Sequence, residues 1–152
     1  MTDEHERFAC YLLKFANVGE ADEAALVHSV LTDPDRVMAE SAVVRHVDLR
    51  AAELLTGPGF PDWAGRLTPA VADHAFVARR LREWMLLRAL TLGEPWQAED
   101  LTSASDWLQR AASARLEARD ALAVLAGQGR THRVRAAAAN RLAALERSDA
   151  RA

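Results

Sequence analysis

The sequence predicts an all-α fold, and three observations carry that prediction. Apolar residues recur at steps of three and four along most of the 152 residues, the spacing that lines one face of a helix. No stretch alternates apolar and polar residues for long enough to make a strand. Glycine, proline, aspartate and threonine stand where helices would start and stop. The expected architecture is an irregular bundle of about seven or eight helices, or a stack of antiparallel helix pairs, around a central helix 69–92. All of it lies in a single domain, 1–152, with a sub-boundary at the Gly/Pro loop 56–62.

The central helix is predicted by Thr68 to Leu92, where Thr68 can cap and Pro69 can open a helix without losing a needed N–H. Val71, Ala75, Ala78, Leu81 and Met85 form its inward stripe, and the segment Trp84 to Leu92 is apolar on nearly every side, with only Arg88 charged. A helix end of that kind needs other helices around it. Gly93, Glu94 and Pro95 then end it, since glycine takes the cap conformation and proline cannot continue.

Before the central helix, residues 3–17 carry Phe8, Tyr11, Leu12, Phe15 and Ala16 at helical spacing. A short helix follows from Asp22 to Leu31. Asp33 as cap and Pro34 as first helical residue predict a third helix, reaching about Leu55 with Val37, Val44, Val47, Ala51 and Leu55 along one side. Asp62 can then cap a short turn containing Trp63 and Leu67. After the central helix, a segment over Ala98–Ala114 buries Leu101, Ala104, Leu108 and Ala112, although Ser103 and Asp106 have the spacing of a capping box and would start it later. Glu117 to Ala126 is the next helix and Gly127-Gln128-Gly129 its turn. Thr131 caps a last helix with Val134, Ala138, Leu142 and Leu145 inward, and the Ser148–Ala152 tail should fray.

Half the residues are hydrophobic and 27% are charged, the balance of a globular protein rather than a disordered one. No run approaches the roughly 18 apolar residues of a membrane span. The acidic start MTDEHER is unlike a signal peptide, so no membrane partner and a cytoplasmic location are expected. The single cysteine, Cys10, permits no internal disulfide. Its neighbours Phe8, Tyr11, Leu12 and Leu13 predict a buried structural thiol. The net charge of −3 hides a polarity: residues 1–65 sum to −7 and residues 66–152 to +4. Such asymmetry either places a partner on one face or describes two solvated surfaces.

Catalytic patterns are scarce. The histidines are His5, His28, His46, His74 and His132, and none is spaced from another ligand so as to share a helix face. The one enzymatic option is His28 and His46 meeting across consecutive helices with Glu40 nearby. The loop at Gly57–Gly59 lacks the lysine of a phosphate-binding loop, and no serine has a nucleophile-elbow context. No catalytic residue, metal ligand or cofactor is assigned. Of the four tryptophans, Trp63, Trp84 and Trp107 read as packing residues, while Trp96, beside Pro95, reads as exposed and able to meet a partner.

Two stretches resemble a known family. Leu31-Thr32-Asp33-Pro34-Asp35-Arg36-Val37, followed by Ala39, Ala42 and Val43, resembles the turn and second helix of a HEAT-like repeat. Gly129-Arg130-Thr131-His132-Arg133-Val134-Arg135, followed by Ala138, Ala139 and Leu142, does so too. Val134-Arg135 fits the family's valine-arginine pair, whereas Met38 replaces the arginine in the first copy. The resemblance covers about a third of the chain and implies stacked helix pairs that hold another macromolecule.

The same C-terminal segment, 122–147, also has helix-turn-helix dimensions. Arg130, His132, Arg133 and Arg135 gather at its turn. The resulting expectation is a non-enzymatic adaptor or regulator that docks another protein through those four residues, with Trp96 added. A DNA-binding regulator using the last helix is the alternative, and the acidic N-terminal half argues against nonspecific DNA affinity. Alanine-rich helices pack closely, so a homodimer is compatible with the sequence.

Overall fold

The computed structural model of the chain describes residues 3–152, and among them it holds nine α-helices and no strand. The all-α multi-helix expectation is therefore met. Two compact units divide the chain, one ending at Arg82 and the other running Glu83–Ala152. The division falls inside a helix, Ala75–Leu92, and the Gly/Pro loop 56–62 lies within the first unit. No helix among the described residues is long and apolar enough to cross a membrane.

The first unit comprises α1 (Glu4–Asn17), a 3₁₀ turn (Glu20–Asp22), α2 (Glu23–Val30), α3 (Arg36–Leu54), α4 (Phe60–Val71) and the first turns of α5 (Ala75–Leu92). Helix α1 packs on α3, and α2 on α4. The broad inner face of α3 reads Met38, Ala39, Ala42, Val43, Val47 and Ala51, all buried. Its three alanines let neighbouring helices approach closely, at little cost in side-chain entropy.

Polar contacts give the order of the helices. Arg7 and Tyr11 of α1 reach Asp33 just before α3, and further along Phe15 stacks on His46 with ring centroids 4.3 Å apart. Glu40 meets His74 ahead of α5, and Asp48 meets Arg80 at 3.4 Å. Both sets run in the same sequence direction, so α1, α3 and the first turns of α5 form a parallel row.

Several boundaries differ from those the sequence predicts. Helix α3 begins at Arg36, capped by Asp35, whose Oδ1 accepts the Met38 N–H at 3.1 Å. Asp33, the expected cap, instead accepts the Asp35 N–H at 2.8 Å, the Tyr11 hydroxyl at 2.6 Å and Arg7 Nε at 3.0 Å. Partners more than 20 residues away on α1 outcompete the local cap.

The central helix starts at Ala75, not Pro69. Helix α4 runs through Pro69 because Phe60, Trp63, Ala64, Leu67 and Val71 form one continuous buried stripe. In that last turn the proline forfeits a single backbone bond, and the chain breaks only afterwards, at Ala72–His74. There Arg36 donates to the Asp73 carbonyl at 3.0 Å.

Cys10 is exposed, which overturns the buried-thiol expectation. The residues of α1 that face inward are Phe8, Tyr11, Leu12 and Phe15. Cys10 falls about 140° around the helix from Phe15, on the side of the exposed Leu13.

The second unit holds the remainder of α5, α6 (Ala98–Thr102), α7 (Asp106–Arg115), α8 (Arg119–Gln128) and α9 (His132–Ala150). Gly93 closes α5 at φ 71°, a left-handed conformation in which glycine is at ease. The single helix expected over 98–114 is two helices. Ser105 starts the second, accepting the Leu108 N–H at 3.2 Å while its own N–H and hydroxyl donate to Glu83 at 2.7 and 2.5 Å. That split, together with the full-length α4, accounts for a helix count above the expected one. Helix α6 packs on α8, α7 on α9, and α8 against α9.

Two residues join the end of α8 to Thr131, the cap of α9: Arg130 and, before it, Gly129. A Cβ there would lie 2.7 Å from the Leu125 carbonyl and 2.8 Å from a Val134 methyl. Thr131 caps α9 as expected, accepting the Val134 N–H at 3.1 Å. The helix then continues to Ala150, and Asp149 pairs with Arg119, so Ser148–Ala150, expected to fray, are helical.

Candidate functional site

The first unit's most charged interior point is built from α2, α3 and α4. On α2, Glu23 occupies the inward stripe with Val27 and Val30, which places a carboxylate where an apolar residue would normally sit. Such a group must be saturated with donors. His46 Nε2 approaches its Oε2 at 2.7 Å, Trp63 Nε1 at 3.0 Å and Arg50 Nε at 3.1 Å, while Arg50 Nη2 reaches Oε1 at 3.3 Å. Helix periodicity presents His46 and Arg50 together, since they are four residues apart on α3. Burial alone would push the carboxyl pKa up. The bonds from His46, Arg50 and Trp63 outweigh it and bring the pKa from 4.5 to about 2.

That value defines what the cluster can do. Ionised Glu23 only accepts, so His46 Nε2 carries the hydrogen. The carboxylate faces four N–H groups and is too weak a base to take a proton from a substrate near neutral pH. His46 Nδ1 has no hydrogen-bond partner among the described residues.

A cavity of about 630 Å³ opens over this cluster between α1 and α3. Buried Phe15, His46 and Glu23 lie at its base, and exposed Leu49, Arg45, Glu20 and Glu53 stand at its rim. Leu12, Ala16 and Val18 extend the apolar wall. No serine, threonine, cysteine or tyrosine lines it, so no hydroxyl or thiol nucleophile is at hand.

The grouping of His28, Glu40 and His46 does not form. His28 is exposed on α2, His46 is engaged with Glu23, and Glu40 pairs with His74 Nδ1 at 3.0 Å and with Arg36 at 3.1 Å. Among the described residues no three His, Cys, Asp or Glu side chains converge in a way that could hold a metal ion.

In the second unit the basic residues at the α8–α9 turn divide by role. Arg130 donates to the Ala104 carbonyl at 3.0 Å and, through its backbone N–H, to Gln109 at 2.8 Å. Arg135 donates to the Gly129 carbonyl at 2.8 Å. Arg135 satisfies the carbonyl at the C-cap of α8, and Arg130 satisfies a carbonyl in the loop between α6 and α7. His132 and Arg133 are exposed and have no hydrogen-bond or ionic partner among the described residues. Trp96 is half-buried in the loop after α5 and lines a shallow cavity of about 510 Å³ with Pro95, Ala98 and Asp120.

Sequence reasoning missed Glu23, Arg50 and Arg45 as members of a site. A signal was present for the first: an acidic residue one and two turns before Val27 and Val30, on their own face. Nothing local pointed to Trp63 as its donor, 40 residues away. No protein-family model, curated protein or solved structure matches the chain.

Proposed function

We propose that this chain is a cytoplasmic, HEAT-like helical binding protein that docks another protein and performs no chemistry of its own. In both units a helix packs on the next but one, α1 on α3 and α2 on α4, then α6 on α8 and α7 on α9. Stacked helix pairs pack in this alternating way, and such arrays present one layer of helices to their partners.

The observation that carries the reading is where apolar surface is left uncovered. The exposed large hydrophobics of the first unit are Leu13, Val37, Leu49 and Phe76, with Val37 77% exposed. All four lie on the row α1–α3–α5, and none lies on α2 or α4. Apolar residues concentrated on one row mark an interaction face more than scattered ones do.

A DNA-binding reading has one feature in its favour, the α8–Gly129–α9 hairpin that leaves His132 and Arg133 open on the first turn of α9. One experiment separates the two. Immobilised full-length chain captures candidates from source cells, and each identified candidate is purified and rebound to wild type, Leu13→Asp/Leu49→Asp and Arg133→Glu. A purified protein that rebinds wild type, and is lost in the first variant while thermal melting stays unchanged, supports docking on the row. No purified protein rebinding, or salt-sensitive duplex DNA binding lost in Arg133→Glu, overturns it.

A further inference from the structure

The cavity between α1 and α3 holds one charge that nothing among the described residues answers. Glu20 pairs with Arg66 at 2.7 Å, Glu23 with His46 and Arg50, and Glu53 with Arg50 at 3.3 Å. Arg45 is exposed at the rim and has no hydrogen-bond or ionic partner among the described residues. This is unexpected where residues 1–65 sum to −7 and acids are plentiful. Beside Arg45, the wall is apolar: Leu12, Phe15, Val18 and Leu49.

We propose that this cavity binds an apolar carboxylate, its body against Leu12, Phe15, Val18 and Leu49 and its charge on Arg45. The cavity is of a size that small ligands fill, and a guanidinium matches a carboxylate in two parallel hydrogen bonds. A single cation suits a monoanion. A phosphate dianion brings a second negative charge for which the rim holds no second uncommitted cation among the described residues, so that charge is repelled by Glu20 and Glu53 without compensation. The carboxylate has two sources, a free small molecule or the C-terminal residue of a polypeptide. The inference does not rest on the docking reading above, because a free acid can fill the cavity whether or not a protein docks on the row.

The test is a ligand-detected NMR titration of the full chain with 3-phenylpropionate, 3-phenylpropanol and 3-phenylpropyl phosphate. Gly-Gly-Phe is added with a free and with an amidated C-terminus. The acid should bind about tenfold more tightly than the alcohol or the phosphate, as one charge-assisted contact implies. Arg45→Gln should remove that advantage without affecting the alcohol, Arg45→Lys should keep part of it, and Leu49→Asp should weaken both. Both side chains are exposed, so the variants should melt like wild type. If only the free-carboxylate peptide shows the pattern, the source is a chain terminus; if only phenylpropionate does, it is a small molecule. Equal binding of acid and alcohol, an acid advantage that survives Arg45→Gln, or no binding of either carboxylate overturns the proposal.

Discussion

Replacing Glu23 by glutamine should destabilise the protein in a way that depends on pH. The carboxyl is 2% exposed, and its pKa falls from 4.5 to about 2 on folding. At about 1.36 kcal/mol per unit, that depression corresponds to about 3 kcal/mol of stability. Because the folded pKa is the lower one, the stabilisation is complete above about pH 4.5 and is lost as pH falls towards 2. Glutamine also turns an amide N–H₂ toward Arg50, His46 and Trp63, all of them donors, so the cost at neutral pH should be no smaller than this. The assay is urea unfolding followed by far-UV circular dichroism from pH 7 to pH 2, on wild type and Glu23→Gln. Asp33 also titrates low, chiefly because the Tyr11 hydroxyl bonds to it, and taking the difference between the two proteins removes its contribution. The gap should be about 3 kcal/mol at pH 7 and shrink by most of that near pH 2. A gap that is absent at pH 7, or that stays constant into acid, would refute the account of the cluster.

Other outcomes follow from single sites. Gly129→Ala should cost about 1–3 kcal/mol in denaturant unfolding, because the new methyl meets a backbone carbonyl and Val134 in a tightly packed joint; a neutral substitution would mean the α8–α9 joint is looser than its geometry. Thr131→Ala should cost about 1 kcal/mol and Thr131→Ser far less, the Val134 N–H losing its acceptor only in the first. Cys10, being exposed, should react with a maleimide in the native protein at nearly the rate seen in urea, and strong native protection would contradict its placement on α1.

The parts of this fold that were legible in the sequence are those fixed by neighbours along the chain. Gly93 ends α5 and Thr131 starts α9 because glycine's freedom and a threonine hydroxyl act within a few residues. Pro69 misled because its local meaning is a helix start, while the stripe from Phe60 to Val71, set by burial, carries α4 through it. Asp33 and Asp35 are interchangeable as caps until Arg7 and Tyr11 arrive from α1. The same limit applies to the candidate site. His46 was noticed, but its partner Glu23 lies 23 residues away and Trp63 40 from that carboxylate, separations that carry no periodic signal. Arg130 and Arg135 looked free in sequence, where no residue type announces that it will reach Ala104 or Gly129.

Arginine reaching backbone carbonyls has a further consequence. Arg119, Arg130, Arg135 and Arg141 tie the second unit together through the carbonyls of Leu145, Ala104, Gly129 and Leu116. A guanidinium keeps its proton below about pH 12, and a carbonyl has none to gain, so these ties pass through an acid titration unaltered. Key ties of the first unit end on Glu23 and Asp33, whose protonation dissolves them. Acid should therefore loosen residues up to Arg82 while residues 83–152 still protect their amides from hydrogen exchange, leaving a half-ordered chain at about pH 2 rather than a uniformly unfolded one.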